Sequence, residues 1–403
     1  MKLSNIKDAI NDIKNGKMVI VIDDEDRENE GDFIIASEKA TVKDINFMMK
    51  EGRGLICISI DNDTAQTLDL TPMVNSNTSS HETNFTVSVD AIKNSTTGIS
   101  ANDRWQTVQV IVDENSKPRD LARPGHMFPL VAKDGGVLQR AGHTEAALDL
   151  ARLANLKHSG LLVEIIDEDG SMARNESLFN ISKKFNLKII SISDLIKYRR
   201  KNERLVQEIS SVPFPTETGN FNLKLFEDRI NGDHHVAIVK GTITNEKPTM
   251  VRVHSQCLTG DIFGSMRCDC GQQLEESLKM IEANGHGILV YLRQEGRGIG
   301  LKNKIKAYKL QDEGMDTVEA NHALGYKSDL REYGIGAQIL LECNVRKMNL
   351  LTNNPKKIVA LEGFGLEIVD RIPIEFQCND INRKYLETKR DKLGHLIMGN
   401  TNE

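Results

Sequence analysis

The chain has 403 residues, of which 39% are hydrophobic and 27% charged, and its formal net charge is −6 at pH 7. That length exceeds one ordinary core and suits two of roughly 200 residues each. The composition excludes fibrous and disordered classes, and the acidic balance offers no basic surface to DNA, RNA or an anionic membrane.

Leu3, Ile6, Ile10 and Ile13 recur at helical spacing and Gly16 follows as a stop, so the pattern predicts an N-terminal helix. A β-rich run at 18–22 comes next and ends in acids. The first residues lack the apolar stretch and cleavage site of a secretory signal, and no apolar run is long enough to span a bilayer. A cytoplasmic location without membrane contact is therefore expected.

From Asp23 to Asp32 the chain reads DDEDRENEGD. Kept extended, it would put Asp24, Asp26, Glu28, Glu30 and Asp32 on one face, because side chains alternate with period two. Carboxylates so placed repel one another unless a cation or basic groups stand among them, and Mg²⁺ takes such oxygen ligands. A solvated acidic turn is the plain alternative. An EF-hand loop fits Asp26, Glu28, Glu30 and Gly31 but fails at its last position, where Ser37 replaces the required Glu.

Further polar clusters follow. Residues 97–104, TGISANDR, form a hydroxyl-rich stretch with an Arg, suited to a phosphate. RPGH at 123–126 and RAGHTE at 140–145 each place a His after a small or rigid turn. Thr144 is a candidate cap for the helical pattern at 145–156, leaving backbone N–H groups free for an anion. A single His is more often structural than a ligand, but together with the acidic run these two suggest a site for a phosphorylated, metal-chelated sugar.

With GRGLIC (52–57), RPGHMFPL (123–130), RAGHTEAALDLARLA (140–154) and EIIDEDGSMAR (164–174), nearly all of residues 1–200 resembles 3,4-dihydroxy-2-butanone 4-phosphate synthase. The resemblance implies that Glu28 and His143 hold Mg²⁺ or Mn²⁺. It implies that Arg27, Glu28, Asp32, Arg140, Ala141, Gly142, His143, Thr144 and Glu164 bind ribulose 5-phosphate. By the same resemblance, His126 and Glu164 match positions that the family treats as essential to the reaction. Asp167 departs from the family pattern, where Asn is usual. The implied chemistry removes a proton beside the ketone, and rearrangement of the resulting enediol expels one carbon as formate.

The best boundary is the stretch 194–215. It opens as a charged helical pattern and passes through Ser210, Ser211, Pro213 and Pro215, which read as breakers of regular structure. On either side, β-rich runs at 161–166 and 288–292 alternate with helical patterns at 145–156 and 272–283. The expected class is α+β: two mixed α/β domains in tandem, residues 1–202 and 203–403, each with its own sheet and flanking helices.

Six cysteines occur, and Cys257, Cys268 and Cys270 fall within one short segment, which suggests a metal site and not a disulfide framework. Three thiolates on Zn²⁺ leave one tetrahedral position for water, as in catalytic sites; structural zinc would need a fourth ligand, and His254 is the candidate. Glu295, Gly296 and Arg297 open a Gly-rich loop after a strand-like run, weak evidence by itself for phosphate binding. No P-loop sequence occurs. Arg331, Thr352, Lys356 and Lys357 supply groups for a triphosphate.

Residues 208–400 resemble GTP cyclohydrolase II through the cysteine motif, DLREYGIGAQIL (329–340) and TNNPKK (352–357). The resemblance implies zinc on Cys257, Cys268 and Cys270. It implies GTP contacts from Arg252, Val253, His254, Ser255, Gln256, Gln273, Glu295, Gly296, Arg297, Thr317, Thr352 and Lys357. Asp329 matches the proton acceptor, Arg331 the nucleophile toward the α-phosphate, and Tyr308 an active-site position. Gln256 departs from the usual Glu. Both halves together resemble bifunctional riboflavin-pathway enzymes, with a homodimer or higher homo-oligomer implied. The alternatives are a chain catalytic only in its first half, its second half binding GTP or serving as scaffold, and a zinc-dependent nucleic-acid binder, which the charge disfavours.

Overall fold

The structure, a computed structural model, describes residues 2–397 apart from 26, 81, 82, 245, 330 and 332. The chain divides into two compact units, Met1–Asn202 and Glu203–Glu403. Each is an α+β unit built on a seven-stranded mixed sheet.

In the first unit the strands are β1 (Val19–Ile22), β2 (Gly31–Ala36), β3 (Cys57–Ile60), β4 (Val89–Ala91), β5 (Leu121–Val131), β6 (Ser159–Glu164) and β7 (Lys188–Ser191), in spatial order β4-β5-β3-β6-β2-β1-β7. The apolar run in β1 and β2 is buried on both sides, and alternation sorts it between two cores. Ile20, Phe33 and Ile35 point into one, together with Ile45, Val108 and Leu178. Val19, Val21 and Ile34 point into the other, with Ile6, Ile13, Ala147 and Leu195. Helices therefore cover both faces of the sheet. The expected N-terminal helix runs Ile6–Lys14, capped by the Asn5 side chain, and Gly16 follows at φ +73°.

The second unit contains β8 (Val206–Pro215), β9 (Asn220–Asp228), β10 (His234–Lys240), β11 (Thr249–Ser255), β12 (Gly287–Leu292), β13 (Lys347–Leu351) and β14 (Glu367–Ile372), in order β14-β13-β11-β12-β10-β9-β8. β8 to β10 pair antiparallel, whereas β11 pairs parallel with both β12 and β13. One reading of the sequence needs correction. Ser210, Ser211, Pro213 and Pro215 do not break regular structure; they lie in β8. That strand is outermost and has β9 alone as partner, and an edge is where a strand tolerates proline. Among the described residues, no helix is long and apolar enough to cross a membrane.

Candidate active sites

The first site grows from the β1–β2 hairpin. Ile22 pairs with Gly31, so the chain must reverse within residues 23–30, and the Asp23 amide donates to the Glu30 carbonyl at 3.3 Å. Asp23 winds this loop around its own carboxylate: Oδ2 accepts from Arg27 Nη1 at 2.8 Å and Glu28 N at 3.2 Å, and Oδ1 from Glu30 N at 2.9 Å. The extended run with five carboxylates on one face is therefore not formed, because hairpin closure overrides strand alternation. Asp26, one of the five, lies outside the described residues.

The sheet gathers the acids instead. Asp32 pairs with Glu164 across β2 and β6, and both line a cavity shared with Arg27, Glu28, Glu30, Arg140, His143 and Thr144. His143 opens the helix His143–Leu153, and its Nε2 donates to the Val21 carbonyl at 3.1 Å. That bond leaves Nδ1 turned toward Glu28 Oε2 at 3.7 Å and Asp32 Oδ1 at 3.8 Å. Ligand atoms of Asp23, Glu28 and His143 all lie within 4.8 Å of one another. Burial alone would lower the His143 pKa, but Asp32, Glu28 and Asp23 outweigh it and lift it to about 9. Burial lifts Asp32 to about 7 against the pull of His143, with Glu164 and Glu28 adding to the rise. The cluster thus calls for positive charge, which a proton on His143 or a bound cation can supply.

Arg140 donates from Nη1 to Glu145 at 2.6 Å and from Nη2 to Thr83 Oγ1 at 2.8 Å. Thr144 is not the helix cap. Gly142 is, two residues earlier, and a Cβ there would fall 2.4 Å from Arg140 Nη1. Ala141 is exposed, and neither it nor Gly142 lines the cavity. His126 stands apart on β5, 44% exposed, with Nδ1 2.7 Å from Asp90 Oδ2 and its amide donating to Asp90 Oδ1 at 2.8 Å. Residues 97–104 pack over this pair, since a Cβ at Gly98 would fall 2.6 Å from His126 Nδ1. Asp103 ties that loop down, accepting from Thr96 N, Thr96 Oγ1 and Gly98 N. Asp167, the departure near Glu164, accepts from Ser177 Oγ at 2.5 Å, a bond that an Asn oxygen could also accept.

The second site lies beyond the C-terminal ends of the parallel strands β11, β12 and β13, where open α/β sheets place their ligands. Cys257 Sγ is 3.7 Å from Cys268 Sγ, and all three thiol sulfurs lie within 4.8 Å of one another. Gly260 makes room for them, because a Cβ there would sit 2.9 Å from Cys268 Sγ. His254 is no fourth member: its Nε2 faces Asp261 at 3.1 Å, and Asp261 also takes the Cys257 amide at 2.9 Å and the Tyr291 hydroxyl at 2.8 Å. Hydrogen bonds from Cys268 and Cys270, aided by Lys304, hold the Cys257 thiol far below its usual pKa. The hydrogen bond with Cys257, with burial adding to it, in turn pushes Cys268 up to about 11. Only Cys257 gives up its proton readily in this cluster, and three thiolates side by side would need a cation.

The cavity around the thiols is lined by Arg252, His254, Ser255, Gln256, Gln273, Glu295, Gly296, Arg297, Thr317, Arg331, Thr352 and Lys357, with Tyr308 beside them. Val253 does not line it; its side chain is buried on the other face of β11, and its carbonyl accepts from Lys357 Nζ at 2.8 Å. Asp329 is also absent from the wall. Both its oxygens are taken by Arg331, at 2.9 Å from Nε and 2.6 Å from Nη2, so it orients that guanidinium. Gly296 and Arg297 adopt left-handed backbone at φ +62° and +60°, which turns the chain from β12 into the helix Gly300–Asp312.

The family profile of 3,4-dihydroxy-2-butanone 4-phosphate synthase matches residues 7–198, and that of GTP cyclohydrolase II matches residues 207–373. Over 397 residues the chain is 58% identical to a riboflavin biosynthesis protein RibBA from Chlorobium phaeovibrioides, covering 98% of this chain and 97% of that one. The RibBA of Aquifex aeolicus is 55% identical over 399 residues, covering 98% of each. The chain belongs to the bifunctional riboflavin biosynthesis family. It joins a 3,4-dihydroxy-2-butanone 4-phosphate synthase to a GTP cyclohydrolase II. Among solved structures, a two-domain 3,4-dihydroxy-2-butanone 4-phosphate synthase from A. baumannii, RibBX, matches with a TM-score of 0.69 and 38% identity. The match covers 92% of this chain and 99% of that one.

Several residues of this riboflavin enzyme's sites escaped the sequence reading. Asp23 could have been found as the acid that directly follows β1. Lys304 donates to Cys257 Sγ at 3.1 Å and to Glu295 Oε1 at 2.8 Å. Tyr385, Lys389 and His395 also line the second cavity, and no motif in the sequence marks them.

Proposed function

We propose that residues 1–202 convert ribulose 5-phosphate to L-3,4-dihydroxy-2-butanone 4-phosphate and formate with Mg²⁺ or Mn²⁺. Residues 203–403 open GTP to 2,5-diamino-6-ribosylamino-4(3H)-pyrimidinone 5′-phosphate, formate and pyrophosphate with Zn²⁺. The observation that carries this reading is the thiol triangle. Tetrahedral zinc with Zn–S bonds of about 2.3 Å requires sulfurs about 3.8 Å apart, and Cys257 and Cys268 stand at 3.7 Å. No fourth protein ligand joins the group among the described residues, which supports an open position.

Zinc held by Cys257, Cys268 and Cys270 would supply a Lewis acid able to activate water at neutral pH for attack on the imidazole carbon of GTP. The chain's own groups do the rest. Arg252, Arg297 and Lys357 face the polyphosphate. Arg331, aligned by Asp329, addresses the α-phosphate, from which pyrophosphate departs. Burial with Arg252 and Arg331 nearby holds Lys357 well below its ordinary pKa, and an anionic phosphate reverses that penalty. Gln256 keeps the size and hydrogen bonding of the usual Glu without its charge.

In the first unit, Glu28 and His143, joined by Asp23, fit a hard cation, since the donors are two carboxylates and the Nδ1 of a His whose other nitrogen is bonded to the Val21 carbonyl. A cation held there would supply positive charge beside the substrate's oxygens. Asp32 and Glu164 face the same cavity and are placed to move protons, while Arg27 and Arg140 supply positive charge for the phosphate. His126 lies outside that cavity within one chain, which supports the homodimer expectation: a second copy is what can carry His126 to the substrate.

The test is formate release from one preparation, measured separately with ribulose 5-phosphate and with GTP, before and after removal of metal. Formate from both substrates is expected. The solved two-domain relative is described by one activity alone, so a chain yielding formate only from ribulose 5-phosphate would favour the reading of the second half as a GTP-binding or scaffolding module.

A further inference from the structure

The match to the cyclohydrolase family ends at residue 373, yet the chain continues into a helix, Arg383–Asp391, that reaches the zinc loop. Lys389 Nζ donates to Asp269 Oδ1 at 2.6 Å, and the two side chains are only 10% and 8% exposed. Asp269 is the residue between Cys268 and Cys270. Its other oxygen accepts from Gln273 Nε2 at 2.6 Å, and Gln273 Oε1 accepts from Arg252 Nη2 at 2.5 Å. One hydrogen-bonded relay therefore runs from the C-terminal helix through the zinc loop to Arg252.

The helix is fastened at both ends. Lys384 Nζ donates to the Gly314 carbonyl at 2.7 Å, and Lys392 Nζ donates to Glu319 Oε1 at 2.8 Å beside Thr317. Past the helix, the Leu396 amide donates to the Asn353 carbonyl at 2.9 Å. Burying two opposite charges is costly unless their remaining hydrogen-bonding capacity is met, and removing one partner strands the other. Without Lys389, the Asp269 carboxylate would be left buried within the metal loop, and the loop would have to move to hydrate it.

We infer that Lys389 is a positioning residue for zinc: through Asp269 it fixes the Cys268–Cys270 segment, so the C-terminal helix belongs to the cyclohydrolase site. The inference rests on the reading of the three thiols as zinc ligands. Residues that orient a metal's ligands typically change its affinity about 10–100-fold when removed. Lys389→Met keeps the length and apolar stem of the side chain and removes its charge; Lys389→Arg keeps the charge.

The experiment follows zinc transfer from the full-length protein to a chromogenic chelator, alongside kcat and KM for GTP. Lys389→Met is expected to release zinc at least about tenfold faster than the parent, with kcat falling more than KM changes. Lys389→Arg is expected to hold zinc much more nearly as the parent does. If circular dichroism shows Lys389→Met unfolded, Asp269→Asn is held to the same criterion. Release at the parent rate overturns the inference, as does equal loss in the Met and Arg variants, which would make the contact one of packing. A raised KM with unchanged kcat also overturns it, because Lys389 would then contact nucleotide directly. A parent chain that holds no zinc sinks the zinc reading and this inference together.

Discussion

Asp32 on β2 stands directly opposite Glu164 on β6, so two carboxylates project from the same face of the first sheet into one cavity. Neighbours across an antiparallel ladder cannot swing apart without unpairing strands. The charge density of this site is thus built into the register.

Glu28→Gln tests what that charge is for. A neutral amide is a far weaker ligand for a hard cation than a carboxylate, and ribulose 5-phosphate turnover is expected to fall by at least about 100-fold. Formate release from GTP should stay at the parent level. Near-parental consumption of ribulose 5-phosphate would remove Glu28 from the metal site.

The absence of His126 from the lining of the acidic cavity leads to a mixing experiment. Glu28→Gln and His126→Ala are each expected to be nearly inactive on ribulose 5-phosphate. Unfolded and refolded together, they should recover up to about a quarter of parental activity, because some mixed dimers contain one cavity with both groups intact. No recovery, with mixed dimers demonstrated by tagged copies, would mean that His126 acts within its own chain or not at all.

Cys268→Ser separates catalytic from structural zinc. It should abolish formate release from GTP and leave formate from ribulose 5-phosphate intact. The protein's zinc content and the circular dichroism of the second unit have to be read in the same sample, because metal loss can also unfold a site. A folded, zinc-free variant that still made formate from GTP would falsify the catalytic role.

His235 on β10 predicts a pH effect on stability. Burial, with Arg293 and His234 adding to it against Asp233, holds its pKa down to about 4, and its Nδ1 accepts the Arg293 amide at 3.1 Å. As pH falls below about 6.5, the unfolded chain takes up a proton that the folded one refuses, so stability is lost until pH reaches about 4. The loss is on the order of 3 kcal/mol. His235→Asn keeps an acceptor and removes the titration, so calorimetry should show a smaller drop in Tm between pH 7 and 4.

Much of this was legible in the sequence because it is local. The spacing of Ile6, Ile10 and Ile13 marks a helix without help from the rest of the chain, and the cysteine segment carries its ligands within a few turns. The winding of residues 23–30 was not legible. Alternation holds for a strand, and only the pairing of Ile22 with Gly31 reveals that the chain has already turned back. The Gly142 cap likewise depends on where Arg140 and Glu145 meet. Lys389 and Asp269 lie 120 residues apart, and neither residue type is unusual in its own neighbourhood. Nothing local can announce such a pair.

Pro213 and Pro215, set in the outermost strand of the second sheet, also bear on how copies of this protein tolerate one another at high concentration. Ile209 and Val212 are exposed on the same strand, and an apolar edge with a single partner invites a stranger's backbone to add the next rung. Prolines have no N–H to offer such a guest. An edge strand interrupted by two prolines is a poor template for a further strand, which disfavours edge-to-edge association of copies.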